Sequence, residues 1–124
     1  MAGNFLEVGQ QFAQHYYSTF ASNRAGLSAL YSDQSMMTYE GNQFQGAAAI
    51  TAHINGLPLK SVRYGKQTLD CQPSPPGGIL VYVTGEMFVD DSPNPLKFAQ
   101  VFHLVQSASG NFFILNDMFR LNIG

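Results

Sequence analysis

The carboxylates are the first candidates for chemistry in this chain, and they are conspicuous because few of its residues carry charge. Charged residues make up 11% of the 124 residues, with eight Asp and Glu against six Lys and Arg. Glu40 lies in the segment TYEGNQFQG, residues 38–46, between Tyr39 and Phe44. A carboxylate among aromatic residues is a candidate general base, a candidate docking charge for a basic partner, or a solvated turn residue. The segment itself leaves these three interpretations open.

Other acidic residues are candidates of the same kind. Asp90 and Asp91 precede a Ser-Pro step, a composition typical of a polar turn. Glu86 and Asp117 lie within predicted strands, where an inward carboxylate would suit proton transfer in an enzyme. Residue type alone does not choose between a turn, a docking site and a catalytic site.

The chain has no other pattern of catalytic or metal-binding residues. His15, His53 and His103 are far apart in sequence and lack metal-ligand spacing, so we expect no metal site. No nucleophile elbow, phosphate-binding loop or dinucleotide fingerprint occurs, and we expect no cofactor. Cys71 is the single cysteine, which excludes an internal disulfide and is typical of a reducing compartment. We interpret it as a packing residue.

Composition limits the class of protein. The formal net charge is −2 and no Lys/Arg run occurs, which argues against a nucleic-acid partner. The polar first twenty residues do not resemble a signal peptide, and no run approaches the ~20 apolar residues of a membrane span. We therefore expect a soluble intracellular protein. Hydrophobic residues reach 45%, with ten Phe and six Tyr, which predicts a cavity, an oligomer interface or both.

Periodicity predicts helices first and strands later. Asn4 and Glu7 have the spacing of a capping box at the start of a first helix. Gly65 and Gly85 are candidate bend or bulge points in long strands. The predicted elements are a helix from residue 5, a second short helix capped by Ser22 or Asn23 that carries Leu27, Leu30 and Tyr31, a hairpin of 36–40 and 43–46, and a helix at 47–58. Strands are predicted at 60–71, 79–90, 97–107 and 112–122.

This order predicts one α+β domain over residues 1–124, with a strongly curved, mostly antiparallel sheet packed on helices. Alternation in the strands gives two apolar faces instead of one, so we expect a second subunit on the open sheet face and a homodimer. In 79–90 the predicted faces are Ile79, Val81, Val83, Met87 and Val89 against Leu80, Tyr82 and Phe88. In 112–122 they are Phe113, Leu115, Phe119 and Leu121 against Phe112, Ile114 and Met118.

Seven segments of the chain occur together, in order, in one known family. They are QHYYSTF (14–20), LSALYSDQSMMTYEGNQFQGAAAI (27–50), LPL (57–59), DCQPSP (70–75), VTGEMFVDD (83–91), QVFHL (100–104) and NDMFRL (116–121). Through them nearly the whole chain resembles the nuclear transport factor 2 family. The resemblance implies a cone-shaped α+β fold with an apolar cavity between sheet and helices.

The function implied by the resemblance is nucleocytoplasmic transport without catalysis. A family member would bind the GDP-bound GTPase Ran and FxFG repeats of nuclear pore proteins, and would import Ran into the nucleus. It would be a homodimer in cytoplasm and nucleus, concentrated at the nuclear pore and envelope. No cofactor, nucleic acid or membrane insertion is implied.

The resemblance also implies site residues. In the family, an aromatic side chain of Ran enters the cavity and basic residues beside it pair with carboxylates at the cavity rim. Here Glu40 and Asp90 match those acids, Asp91 would replace a further acid where this chain has Ser92, and Tyr39 stands where the family often has tryptophan. Further lining candidates are Leu57, Val62, Met87, Met118 and Phe119. The implied nucleoporin surface comprises Phe5, Leu59, Gln72 and Pro73, with the last three completing it across the dimer interface.

Two other functions remain open at this stage. Isomerases and dehydratases share this cone fold, and Asp117 or Glu86 would be their proton-transfer group if either points into the cavity. An adaptor that dimerises with a relative, as mRNA export subunits of this fold do, is the third hypothesis.

Overall fold

The computed structural model describes residues 4–122, which form helices on one face of a single sheet. The single domain predicted over 1–124 includes residues 1–3 and 123–124, which lie outside the described range. The elements in chain order are helix α1 (Phe5–Ser22), a 3₁₀ helix (Arg24–Leu30), β1 (Tyr31–Tyr39), β2 (Asn42–Gln45), α2 (Ala47–Asn55), β3 (Val62–Ser74), β4 (Gly78–Val89), β5 (Leu96–Gln106) and β6 (Phe112–Leu121).

The sheet is mixed and has the strand order β2-β1-β6-β5-β4-β3. Strands β1 and β6 are parallel, and every other neighbouring pair is antiparallel. The predicted α+β class is confirmed. This topology brings the carboxyl ends of β1, β4 and β6 to the same end of the sheet as the starts of β3 and β5. We call it the rim end.

Helix α1 packs closely on β3 and β4. Ala13, Tyr16 and Tyr17 are buried at helical spacing on the face that meets the sheet. Gly9 permits the close approach, since a Cβ there would lie 2.3 Å from Cys71 Sγ. The predicted capping box is wrong, because Asn4 makes no side-chain capping bond. Its backbone is helical, with φ −97° and ψ −3°, whereas a capping side chain usually needs an extended backbone.

Two irregularities in the antiparallel pairs bend the sheet, in addition to a register shift between Tyr31 and Met36 where β1 pairs with the parallel β6. The β3–β4 register shifts between Tyr64 and Gln67, which agrees with the bend predicted at Gly65. Opposite this bulge, a Cβ at Gly85 would lie 2.8 Å from the Lys66 carbonyl oxygen, so the bend needs a glycine there. The β5–β6 register shifts between His103 and Leu104.

The second shift reverses the alternation of β6. Ile114, Asp117 and Phe119 are all buried on the core side, at 0%, 1% and 9% exposure. Strict alternation predicts that Phe113 and Leu115 share a face with Phe119 and that Ile114 lies on the opposite face. That prediction is wrong, because Ile114 is buried on the same side as Phe119. The extra residue of the bulge changes the face of every residue that follows it.

The second face of the sheet is left uncovered by the helices. Leu80, Tyr82 and Met118 lie there with 40%, 44% and 52% of their surface exposed. The alternation predicted for β4 is confirmed, since Ile79, Val81, Val83 and Met87 are buried on the core side. Within residues 4–122, no helix has the length and apolar character needed to cross a bilayer.

Candidate functional site: an aromatic cavity with carboxylates at its rim

An enclosed cavity lies between the helices and the sheet. Every strand except β2 contributes to it, together with α1 and α2. It is lined by Tyr16, Tyr17, Phe20, Met37, Tyr39, Ile54, Tyr64, Met87, Gln100 and Phe119. Its volume is about 20 Å³, which is the space of roughly one water molecule.

The inner wall of the cavity is held by a chain of buried hydrogen bonds. The Tyr17 hydroxyl donates to Gln100 Oε1 over 2.8 Å, and Gln100 Nε2 donates to Asp117 Oδ1 over 2.8 Å. The Tyr31 hydroxyl donates to Asp117 Oδ2 over 2.7 Å. Burial raises the pKa of Asp117 to about 6 despite the two hydrogen bonds, which act in the opposite direction. Each oxygen of the Asp117 carboxylate thus accepts a hydrogen bond from a neighbouring side chain, Tyr31 or Gln100.

The outer wall consists of aromatic rings in mutual contact. Tyr39 is half-buried and stacks on Phe119, with ring centroids 4.8 Å apart and an interplanar angle of 9°. Its other contact is the His53 ring, edge-on at 4.7 Å. Tyr64 is also half-buried and packs edge-on against Tyr17 at 4.9 Å. Ring contacts hold this wall, whereas hydrogen bonds hold the inner one.

His53 supports the outer wall from α2. Its ring stacks on Phe44 at 4.3 Å, and its Nε2 atom is buried without a hydrogen-bond partner among the described residues. Burial lowers the pKa of the imidazole, so the neutral ring is favoured.

Glu40 follows β1 directly, at the rim end, and is exposed. Its backbone is left-handed, with φ 50°, a conformation uncommon for a residue other than glycine. The Glu40 N–H donates to the Phe119 carbonyl over 3.0 Å. Its Oε1 accepts a hydrogen bond of 2.5 Å from the Leu121 N–H. One carboxylate oxygen is thus bound to β6.

Asp90 follows β4 at the same end of the sheet and repeats this arrangement. Its φ is 55°, and its N–H donates to the Ser61 carbonyl over 2.8 Å. Its Oδ1 accepts from the N–H groups of Lys60 and Ser61 over 2.7 and 3.0 Å. The Ser61 and Lys60 amides lower the pKa of Asp90, so the carboxylate is ionised at neutral pH. Asp91 is the exposed next residue.

The predicted lining residues divide into three groups. Tyr39, Met87 and Phe119 line the cavity, whereas Leu57 and Val62 are absent from its wall. Met118 was predicted to line it, and that position is wrong because the side chain points to the open face of the sheet. Sequence reasoning missed Tyr16, Tyr17, Phe20, Met37, Ile54, Tyr64 and Gln100. The helical spacing of the α1 aromatics was the available signal.

An open groove lies at the other end of the sheet. Its volume is about 390 Å³, and its walls are Asn4, Phe5, Val8, Pro73, Pro75, Gly77, Gly78, Ile79, Gln106 and Phe112. Phe5 and Pro73, both predicted for the nucleoporin surface, meet here. Gln72 is exposed beside the groove, paired with Leu80. Leu59 precedes β3 at the rim end, so within one chain it does not join the other three.

The two candidate catalytic carboxylates have different surroundings. Asp117 faces the core but both of its oxygens are occupied. Glu86 pairs in register with Lys97 and lies on the uncovered face of the sheet, where it borders a depression with Lys66 and Thr84. Within residues 4–122, no group of three His, Cys, Asp or Glu side chains has an arrangement that could hold a metal ion.

Fold and site together define a small α+β domain, with an aromatic cavity between helices and sheet and exposed carboxylates at the rim end. Residues 8–121 match the Nuclear transport factor 2 domain. The chain belongs to the nuclear transport factor 2 family.

Relatives of full length support this assignment. A nuclear transport factor 2 of Oryza sativa subsp. japonica is 50% identical over 94% of this chain and 96% of its own. One of Neurospora crassa is 46% identical over 98% of both chains. The solved structure of nuclear transport factor 2 from Cryptosporidium parvum has a TM-score of 0.92 and 49% identity, and the alignment covers 98% of each chain. These relatives support a function as a carrier in nuclear transport.

Proposed function

We propose that this protein binds GDP-bound Ran through the rim end of its sheet and carries it into the nucleus. The observation that carries the proposal is that Glu40 and Asp90, 50 positions apart in sequence, lie at the same end of the sheet. They follow β1 and β4, the strands that contribute Tyr39 and Met87 to the aromatic cavity. An aromatic anchor in an apolar pocket with flanking charge pairs is a common arrangement for protein recognition.

Entry of an aromatic side chain requires the cavity to open. A cavity that binds benzene measures about 150 Å³, and this one measures about 20 Å³. The inner wall resists movement, because Tyr17 and Gln100 are joined by buried hydrogen bonds. Tyr39 and Tyr64 are half-buried rings of the outer wall, so they are the side chains that we expect to move. Binding therefore includes a rearrangement of the outer wall.

The groove and the open face complete the proposal. FxFG repeats would bind weakly in the groove around Phe5 and Pro73, and repetition of the motif would compensate for the weak single contact. The exposed apolar residues Leu80, Tyr82 and Met118 would form a homodimer interface. The protein would distribute between cytoplasm and nucleus and concentrate at the nuclear pore.

We further propose that the protein acts without catalysis. Asp117 is the inward carboxylate of the two candidates, and the donors Tyr31 and Gln100 already occupy its oxygens. A general base must reach the proton it removes, and this carboxylate is 1% exposed and held by its two buried donors.

Calorimetry with purified Ran tests the proposal. Wild-type protein should bind Ran loaded with GDP and not Ran loaded with GTP, whose switch regions differ in shape. Glu40→Lys should abolish binding, because like charges would then face each other at the rim. Asp33→Lys is the matched control, since Asp33 is an exposed acid near the opposite end of β1. Equal loss in both variants, or no binding by the wild type, would refute the proposal.

A further inference from the structure

We propose that the two rim carboxylates are positioned by backbone amides, which makes Leu121 and the Lys60–Ser61 segment positioning residues of the docking site. The inference rests on the proposed function, in which basic side chains of a partner pair with Glu40 and Asp90. It adds that the geometry of each carboxylate, and not its charge alone, determines binding.

The argument for Glu40 begins with its exposure. An exposed glutamate ordinarily samples many rotamers and loses that freedom when a partner binds. Here the left-handed backbone directs the side chain towards β6, where the Leu121 N–H binds Oε1. The N–H of Glu40 itself is bonded to the Phe119 carbonyl, which fixes the turn to the same strand. Among residues 4–122 nothing donates to Oε2, which can receive a basic side chain.

Asp90 is held in the same way by a different segment. The Lys60 and Ser61 amides both donate to Oδ1, and the Ser61 carbonyl accepts from the Asp90 N–H. The backbone bond between Asp90 and Ser61 continues the β3–β4 pairing by one step beyond Val62 and Val89. Within the described part of the chain Oδ2 again has no donor, so it can receive a basic side chain of the partner. Two acids at separate strand ends thus share one device, a left-handed backbone with one carboxylate oxygen bound to main-chain N–H.

Charge-conserving substitutions separate positioning from charge. Glu40→Asp keeps the charge and tolerates the left-handed backbone, since Asp is enriched there. Its shorter side chain loses the reach to the Leu121 N–H. Asp90→Glu keeps the charge and moves the carboxylate one methylene beyond the Lys60 and Ser61 amides. Each should weaken binding of GDP-bound Ran by roughly tenfold, as expected when an ordered side chain must be immobilised again.

Asp33→Glu is the matched control. It makes the same chemical change at an exposed acid near the opposite end of β1, and it should leave affinity within about twofold of wild type. Circular dichroism of each variant verifies that the fold is retained. If Glu40→Asp and Asp90→Glu bind like the wild type, the carboxylates act as charges alone and the inference is overturned.

A second measurement needs no partner. In an NMR pH titration of the wild-type protein, the Lys60 and Ser61 amide protons should shift with the titration of Asp90. The Leu121 amide proton should differ in chemical shift between wild type and Glu40→Asp at neutral pH, because the variant loses the hydrogen bond to it. If the chemical shifts of these amide protons do not respond to the carboxylates, the inference fails whatever the binding affinities are.

The two measurements distinguish this inference from the proposed function. If wild-type protein does not bind GDP-bound Ran, the proposed function fails. The NMR measurement then tests by itself whether backbone amides hold the carboxylates. Amide responses in that case support the positioning geometry, and their absence overturns it.

Discussion

The Asp117→Asn variant is predicted to gain stability relative to the wild-type protein as the pH rises from acidic to neutral. The carboxylate is 1% exposed, and burial outweighs the hydrogen bonds from Tyr31 and Gln100, so that the pKa rises to about 6 from an ordinary 3.8. A folded-state pKa above the unfolded value means that the folded protein binds the proton more tightly. The stabilisation that protonated Asp117 contributes to the wild-type protein is therefore fully present below pH 3.8, and it is lost as the pH rises through 6.

The size of the decline follows from the two pKa values. The full loss corresponds to about 3 kcal/mol, of which about 2 kcal/mol falls between pH 4.5 and 7.5. Asparagine has nearly the same shape and does not titrate. The difference in unfolding free energy, variant minus wild type, should therefore increase by about 2 kcal/mol across that interval. Titrations of other groups cancel in the difference if they do not interact with Asp117.

Urea denaturation at fixed protein concentration, repeated from pH 4.5 to 7.5, measures this difference. A fixed concentration is needed because dimerisation would make apparent stability depend on it. Asp70→Asn removes an exposed carboxylate on β3 and serves as the matched control. A difference between Asp117→Asn and wild type that stays constant over the interval would refute the reasoning, since burial would then not have raised the pKa of Asp117.

Three further predictions concern packing and assembly. Phe102→Ala should lower the free energy of unfolding by about 3–5 kcal/mol in urea denaturation, because this fully buried ring contacts the aromatics of α1, and a loss under 1 kcal/mol would contradict its core role. Gly9→Ala should cost about 1–3 kcal/mol, since the added methyl group overlaps Cys71 Sγ, and Cys71→Ala in the same chain should restore most of the loss. Additive effects of the pair would exclude that contact as the cause. Tyr82→Lys should leave circular dichroism unchanged and yield a monomer in light scattering, because it places charge on the uncovered sheet face. A dimer that persists at the same concentration would place the interface elsewhere.

Local patterns in the sequence predicted most of the elements and several of their faces. The order of helices and strands, the bend near Gly65 and the division of β4 into two faces follow from periodicity and turn chemistry, which act over a few neighbouring residues. Family resemblance added Glu40 and Asp90 as candidate docking acids. No local pattern distinguishes such acids from ordinary turn residues.

The site itself depends on contacts between distant parts of the chain. Alternation failed in β6 because the bulge near Leu115 arises from pairing with β5, and this pairing turns Asp117 inward and Met118 outward. The same bulge explains why Met118 lies on the uncovered face of the sheet. Strand register is set by the partner strand as well as by the strand's own sequence.

The sequence by itself determined the family, the elements and the identity of the acids. Tertiary structure decided that Glu40 and Asp90 lie at one end of the sheet, that main-chain amides of Leu121 and Ser61 hold their carboxylates, and that the cavity is nearly closed. The physical reason is that these features are relations between segments that meet only after the sheet has formed. Local propensity describes each segment alone, and the strand order together with the three register shifts determines how they meet.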